Sequence, residues 1–170
     1  MEIEDDLISL KLPDATQEES IIKVIGVGGG GSNAVNHMFR QGIHGVEFVV
    51  CNTDIQALRQ SRVKNRIQLG KELTEGRGAG CQPERGRLSA IESMDFIKTI
   101  LEHNTRMVFI TAGMGGGTGT GAAPEIARQA KELGILTIGI VTKPFAFEGK
   151  QRMDKAEKGI KELRQYVDAL

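Results

Sequence analysis

Nine residues, Gly113-Met114-Gly115-Gly116-Gly117-Thr118-Gly119-Thr120-Gly121, hold the clearest chemistry in the chain. Ordering so many glycines costs much conformational entropy, so such a run serves a purpose that side chains would obstruct. The apolar run Met107-Val108-Phe109-Ile110 precedes it, and the helical pattern Ala122-Ala123-Pro124-Glu125-Ile126-Ala127 follows. A strand-to-helix turn of this kind presents backbone N–H groups with the positive end of a helix dipole behind them, which is a cradle for phosphate. Thr118 and Thr120 add hydroxyl donors without adding charge. The plain alternative is a flexible linker, and the buried strand and amphipathic helix on either side argue against it.

Other residues have types and spacing suited to the same chemistry. Gly26, Gly28 and Gly31 fit G-x-G-x-x-G, a weak signal alone, which secures a second phosphate-approach loop. Asp54 suits either a helix cap or contact with a ribose or a hydrated magnesium ion. Gly76-Arg77-Gly78-Ala79-Gly80-Cys81 forms a third small-residue loop. No lysine follows a glycine run in the P-loop spacing G-x-x-x-x-G-K-[ST]. Thr142-Lys143-Pro144-Phe145 lacks the aspartate with which a small GTPase reads guanine. Two readings of the site stay in play. An NAD(P)-binding Rossmann oxidoreductase would set Gly26, Gly28 and Gly31 on a pyrophosphate and Asp54 on a ribose, leaving residues 113–121 without a task. A phosphate site built almost entirely from backbone amides would use both loops.

The elements that position these loops alternate regularly. Strands are expected at residues 21–27, 46–51, 66–70, 107–112 and 135–141, each short and rich in β-branched or other apolar residues. Helices are expected at residues 34–40 and 55–60, from Pro83 through Leu101, from Ala122 to about Leu133, and from about Gln151 to the end. Leu88, Ile91, Met94, Ile97 and Leu101 hold one helical spacing and read as core. Met153, Ala156, Ile160, Leu163 and Val167 form another apolar stripe. This alternation gives a Rossmann-like, doubly wound parallel sheet with helices on both faces, an α/β fold. In such sheets ligands bind beyond the strands' C-terminal ends, so the loops converge on one pocket.

Composition bounds the rest. The 170 residues suffice for one domain, and the few aromatics leave the core to Ile, Val, Leu, Ala and Met. Residues 1–19 carry seven acidic side chains and one lysine and read as a flexible acidic tail ahead of a globular unit at 20–170. Basic and acidic residues balance at 22 each with no basic, aromatic-interleaved stripe, which argues against nucleic acid. No apolar span is long enough for membrane insertion, and the N-terminus lacks a signal peptide's layout. Cys51 and Cys81 are expected as reduced thiols in a cytoplasmic protein, and His37, His44 and His103 as surface residues without ligand spacing.

The amide-only pattern is similar to a known signature. Gly115-Gly116-Gly117-Thr118-Gly119-Thr120-Gly121, together with residues 24–35, Asn52-Thr53-Asp54 and residues 141–152, resembles the tubulin/FtsZ superfamily, in particular its bacterial cell-division branch. The resemblance runs from about Ile21 to Leu170 with the motifs in the family's order. It implies GTP and GDP as ligands, GTP hydrolysis to GDP and phosphate, and head-to-tail filaments. It also implies a division ring with accessory proteins, and location in the cytoplasm at the division site. By motif match, Gly29, Gly30, Gly31, Ser32 and Asn33 form the first nucleotide loop, and Gly116, Gly117, Thr118 and Gly119 hold the phosphates. Ala79 and Gly80 lie near the terminal phosphate, Glu148 bonds the ribose hydroxyls, and Arg152 reaches the nucleotide.

Elementary chemistry agrees with the last two, since a carboxylate suits vicinal hydroxyls and a guanidinium suits phosphate. An i,i+4 ion pair between them is the compatible plain reading. Magnesium is expected on phosphate and water, with no protein ligand. The family's long central helix, guanine-reading residues and acidic catalytic loop have no match in these 170 residues. The expectation is a nucleotide-binding subdomain with no catalytic residue of its own and negligible hydrolysis alone. Its last apolar stripe is expected to lack part of its packing partner. Gly117→Val is expected to block phosphate approach.

Overall fold

The computed structural model describes residues 20–170; the expected acidic tail at 1–19 lies outside the described residues. Five parallel strands form one sheet in the order β3-β2-β1-β4-β5: β1 (Ile22–Val27), β2 (Glu47–Asn52), β3 (Asn65–Gln68), β4 (Met107–Gly113) and β5 (Leu136–Thr142). The helices are α1 (Gly28–Arg40), α2 (Ile55–Gln60), α3 (Lys71–Thr74), α4 (Pro83–Glu92), α5 (Met94–Glu102), α6 (Thr118–Glu132) and α7 (Lys150–Leu163). Two apolar clusters lie on opposite faces of the sheet. Val24, Val35, Phe48, Val50, Leu58 and Val63 gather beneath α1 and α2. Ile25, Val27, Val49, Ile97, Leu101, Ile110, Ile126 and Leu163 belong to a larger one beneath α4 to α7. This is the doubly wound parallel sheet that alternation of strand and helix dictates.

Several boundaries differ from the sequence expectation, each for a physical reason. α1 begins at Gly28, six residues before Ala34, and α6 begins at Thr118, four before Ala122. Glycine disfavours helix by about 1 kcal/mol relative to alanine, but here close packing decides. A Cβ on Gly31 would lie 2.1 Å from the Thr111 carbonyl oxygen, and one on Gly121 would lie 1.8 Å from that of Pro83. The helix expected from Pro83 to Leu101 is two helices broken at Ser93. The Ser93 hydroxyl accepts from Gly70 N–H (3.0 Å) and is 3.3 Å from the Gln68 carbonyl. The break re-aims the stripe, so Ile97 and Leu101 are buried while Leu88 and Ile91 are exposed.

α7 ends at Leu163 rather than at the chain's end. Its stripe has a partner: Ala156 and Leu163 are fully buried, and Ile160 and Val167 pack against the larger cluster. The chain then turns so that Ala169 pairs in parallel with Ile138, and the Ala169 carbonyl accepts from Gly139 N–H at 2.9 Å. Ala156 and Leu163 of the stripe are thus fully covered, while Met153, Ile160 and Val167 are only partly so. Cys51 is buried and Cys81 exposed, with no disulfide between them. Burial pushes the Cys51 thiol up to about 12, so it is a neutral core group at ordinary pH. His37, His44 and His103 are exposed.

Candidate nucleotide site

Register brings the loops together. Val27 pairs with Ala112 and Gly113 with Thr142, so β1, β4 and β5 end level with one another. α1 follows β1 at once, and α6 starts after the short turn that follows β4. Their first turns touch: a Cβ on Gly28 would be 2.8 Å from Gly119 N, and one on Gly30 would be 3.1 Å from Gly113 Cα. Two helix N-termini, of 13 and 15 residues, thus share one end of the sheet. Neither has an acidic residue in its first turn or a side-chain cap, so their N–H groups and dipoles face outward uncompensated by side chains.

Between them opens a cleft of about 340 Å³ lined by Gly29, Gly30, Gly113, Met114, Gly116, Gly117, Thr118 and Gly119, and on the β5 side by Thr142, Lys143, Pro144, Glu148 and Arg152. Gly29 and Gly116 have nothing within 4 Å of a built Cβ, so their backbones stand open. The turn is braced from within: Gly115 N–H donates to Thr120 Oγ1 (2.9 Å) and Met114 N–H to the Thr142 carbonyl (2.9 Å). Across the cleft, Arg152 donates to Glu148 at 2.6 Å, and the other Glu148 oxygen accepts from Phe145 N–H at 2.8 Å. Two side-chain cations, Lys143 and Arg152, stand against one anion, Glu148. With two helix N-termini, this suits a polyphosphate with a hydroxyl-bearing group attached.

Of the residues singled out from sequence, Gly29, Gly30, Gly116, Gly117, Thr118, Gly119, Glu148 and Arg152 line this cleft. Gly31 does not; it is buried where α1 crosses β4. Ser32 and Asn33 line a neighbouring cleft between α1 and α2, which shares Gly29. Ser32 Oγ is the buried side-chain polar atom left without a hydrogen bond among the described residues. Ala79 sits behind the cradle, 2.8 Å from a Cβ built on Gly117, and Gly80 is exposed outside the lining. A side chain at Gly117 would therefore strike Ala79 and Gln82 before any phosphate, which moves the cleaner probe to Gly116.

Asp54 is a cap: its carboxylate accepts from Gln56 N–H (2.9 Å) and Ala57 N–H (3.2 Å) at the start of α2. Sequence reasoning missed Lys143, Thr142 and Pro144 as lining. The signal was available, since they follow a strand whose C-terminal end belongs at the site. Among the described residues, no three His, Cys, Asp or Glu side chains gather in a way that suits a metal ion. A magnesium ion held by phosphate oxygens and water is compatible with that donor set.

A sequence profile described as "Tubulin/FtsZ family, GTPase domain" matches residues 21–170. The chain belongs to the tubulin/FtsZ family. It is 61% identical over 158 residues to the cell division protein FtsZ of Buchnera aphidicola subsp. Acyrthosiphon pisum, covering 93% of this chain and 41% of that protein. It is 59% identical over 160 residues to the FtsZ of Coxiella burnetii, covering 94% and 41%. The chain thus spans about 41% of the length of these curated relatives. Among solved structures, an empty FtsZ dimer of M. jannaschii superposes with a TM-score of 0.85 at 44% identity, covering 90% of this chain and 44% of that one. A GTPγS-bound protofilament of CetZ2 from Haloferax volcanii gives 0.79 at 25% identity, covering 87% and 47%. Membership of this GTPase family leaves the oxidoreductase alternative without support.

Proposed function

We propose that this chain is the guanine-nucleotide-holding part of a cell-division GTPase that assembles into filaments. The observation that carries the reading is the single cleft in which the glycine turns after β1 and β4 meet Glu148 and Arg152 beyond β5. The amides of residues 116–119 and of Gly29 and Gly30 grip the di- or triphosphate, and Thr118 adds a hydroxyl donor. Arg152 neutralises phosphate charge, and Glu148 takes the ribose hydroxyls. Ser32 and Asn33 extend the α1 side of the nucleotide, Gly31 sets the approach of α1, and Ala79 and Gly80 bound the terminal phosphate. Magnesium rides on phosphate and water.

No residue among these acts as general base, so these 170 residues bind nucleotide and turn it over negligibly by themselves. Self-association runs head to tail through the nucleotide face. Phe145 and Phe147 support this, stacked at 5.3 Å and largely exposed beside the cleft. Accessory proteins of the division ring and a place at the division site belong to the same reading. Among the described residues no helix is long and apolar enough to cross a membrane.

The test is thermal unfolding with GDP, GTP or NAD. Ligand at one hundred times its dissociation constant stabilises by about 2.7 kcal/mol. A rise in Tm with GDP and GTP and none with NAD is expected; a rise with NAD alone overturns the reading.

A further inference from the structure

Thr53 lies in the turn between β2 and α2, wholly removed from solvent. Its hydroxyl is 2.6 Å from that of Thr118, the residue that opens α6 and lines the cleft. Each hydroxyl has one proton to give and lone pairs to accept with. If Thr118 donated, the Thr53 proton would be left in a buried place where no other acceptor among the described residues bonds it, at the desolvation cost of an unsatisfied donor. If Thr53 donates, its proton is satisfied and the Thr118 proton is left to turn outward into the cleft. The second arrangement wins.

We infer that Thr53 is a positioning residue: by donating to Thr118 Oγ1 it sets the Thr118 hydroxyl as a donor toward a phosphate oxygen. The inference rests on the nucleotide reading above and deepens it. Thr53 also anchors the loop that carries Ala79 and Gly80. Its carbonyl accepts from Gly78 N–H (3.2 Å) and lies 3.3 Å from the Thr74 hydroxyl. One residue therefore holds both the donor at the cradle and the root of the neighbouring loop. Packing alone does not require its hydroxyl, since valine has the same shape.

The test is calorimetric titration of GDP into the wild type, Thr53→Val, Thr53→Ser, Thr118→Val and the double valine variant, with thermal unfolding to verify that each folds. Thr53→Val is expected to lose roughly tenfold in GDP affinity, the scale of a hydrogen bond to a charged group. Thr53→Ser, which keeps the proton, restores wild-type affinity. In the Thr118→Val background, Thr53→Val adds no further loss, because the group it orients has gone. Wild-type affinity in Thr53→Val, failure of serine to rescue, or losses that add in the double variant each overturn the role. If Thr53→Val does not fold, Thr53→Ala takes its place in the same cycle. A wild type that binds no GDP sinks the nucleotide reading itself, whereas binding untouched by Thr53→Val sinks only the Thr53 assignment.

Discussion

The two glycine-rich junctions, β1 to α1 and β4 to α6, look alike in sequence and use glycine for two different ends. At Gly26 and Gly31 the missing side chain lets α1 lie on the sheet: built Cβ atoms would meet the Gly31 and Thr111 carbonyls at 2.4 and 2.1 Å. At Gly119 and Gly121 the same holds for α6 against β4 and α4. Gly29 and Gly116, one in each junction, have open space instead, and that space is the cleft. Each junction thus contains glycines that let helices approach and one that leaves the backbone bare to a ligand. Stability and binding thus rest on different glycines within each junction, and single substitutions can tell them apart.

The largest effect is expected at Gly121→Ala. The new methyl would sit 1.8 Å from the Pro83 oxygen, so α4 and α6 must part. A loss of about 3 kcal/mol or more is expected in denaturant unfolding; an unchanged midpoint would show that the helices do not pack as described. Arg152→Ala comes next. The side chain is half exposed and paired with Glu148, so stability shifts by less than about 1 kcal/mol. Binding of GDP weakens on the order of 1–3 kcal/mol if the guanidinium meets phosphate. Equal affinity in variant and wild type would remove Arg152 from the site. The smallest change is expected at Gly116→Ala, whose φ lies outside the left-handed region and whose methyl meets no protein atom. Stability stays within about 1 kcal/mol, with a slight gain the expected sign. GDP affinity falls by about tenfold, measured by the same titration; a fall in stability without a fall in affinity would reverse the contrast with Gly121.

These contrasts also mark what the chain discloses before it folds. The alternation of strands and helices, the parallel sheet and a glycine-framed turn after β4 were legible because apolar runs and glycine framing are local signals. The starts of α1 and α6 were not. Helix propensity reads Gly28 and Gly119 as loop, and only the neighbouring carbonyls of β4 and α4 reveal why a helix begins there. The period through Leu88 and Ile91 was helical as expected, but its phase changes at Ser93, where a side chain commits to Gly70 and Gln68, far off in sequence. Lys143 at the cleft and Thr53 behind Thr118 depend on register between strands, which no single stretch encodes. Gly31 and Ala79 lie one layer behind the cleft's surface, a placement that the motif's sequence does not disclose.

The borders of the sheet carry a consequence for handling. β3, at one rim, has four residues with Arg66 exposed, and β5, at the other, has Thr137 and Gly139 bonded to Asp168 and Ala169. Neither rim offers a long bare row of main-chain donors for another sheet to extend. Concentrated samples should therefore resist cross-β fibril growth, with thioflavin fluorescence staying at baseline while the fold is intact.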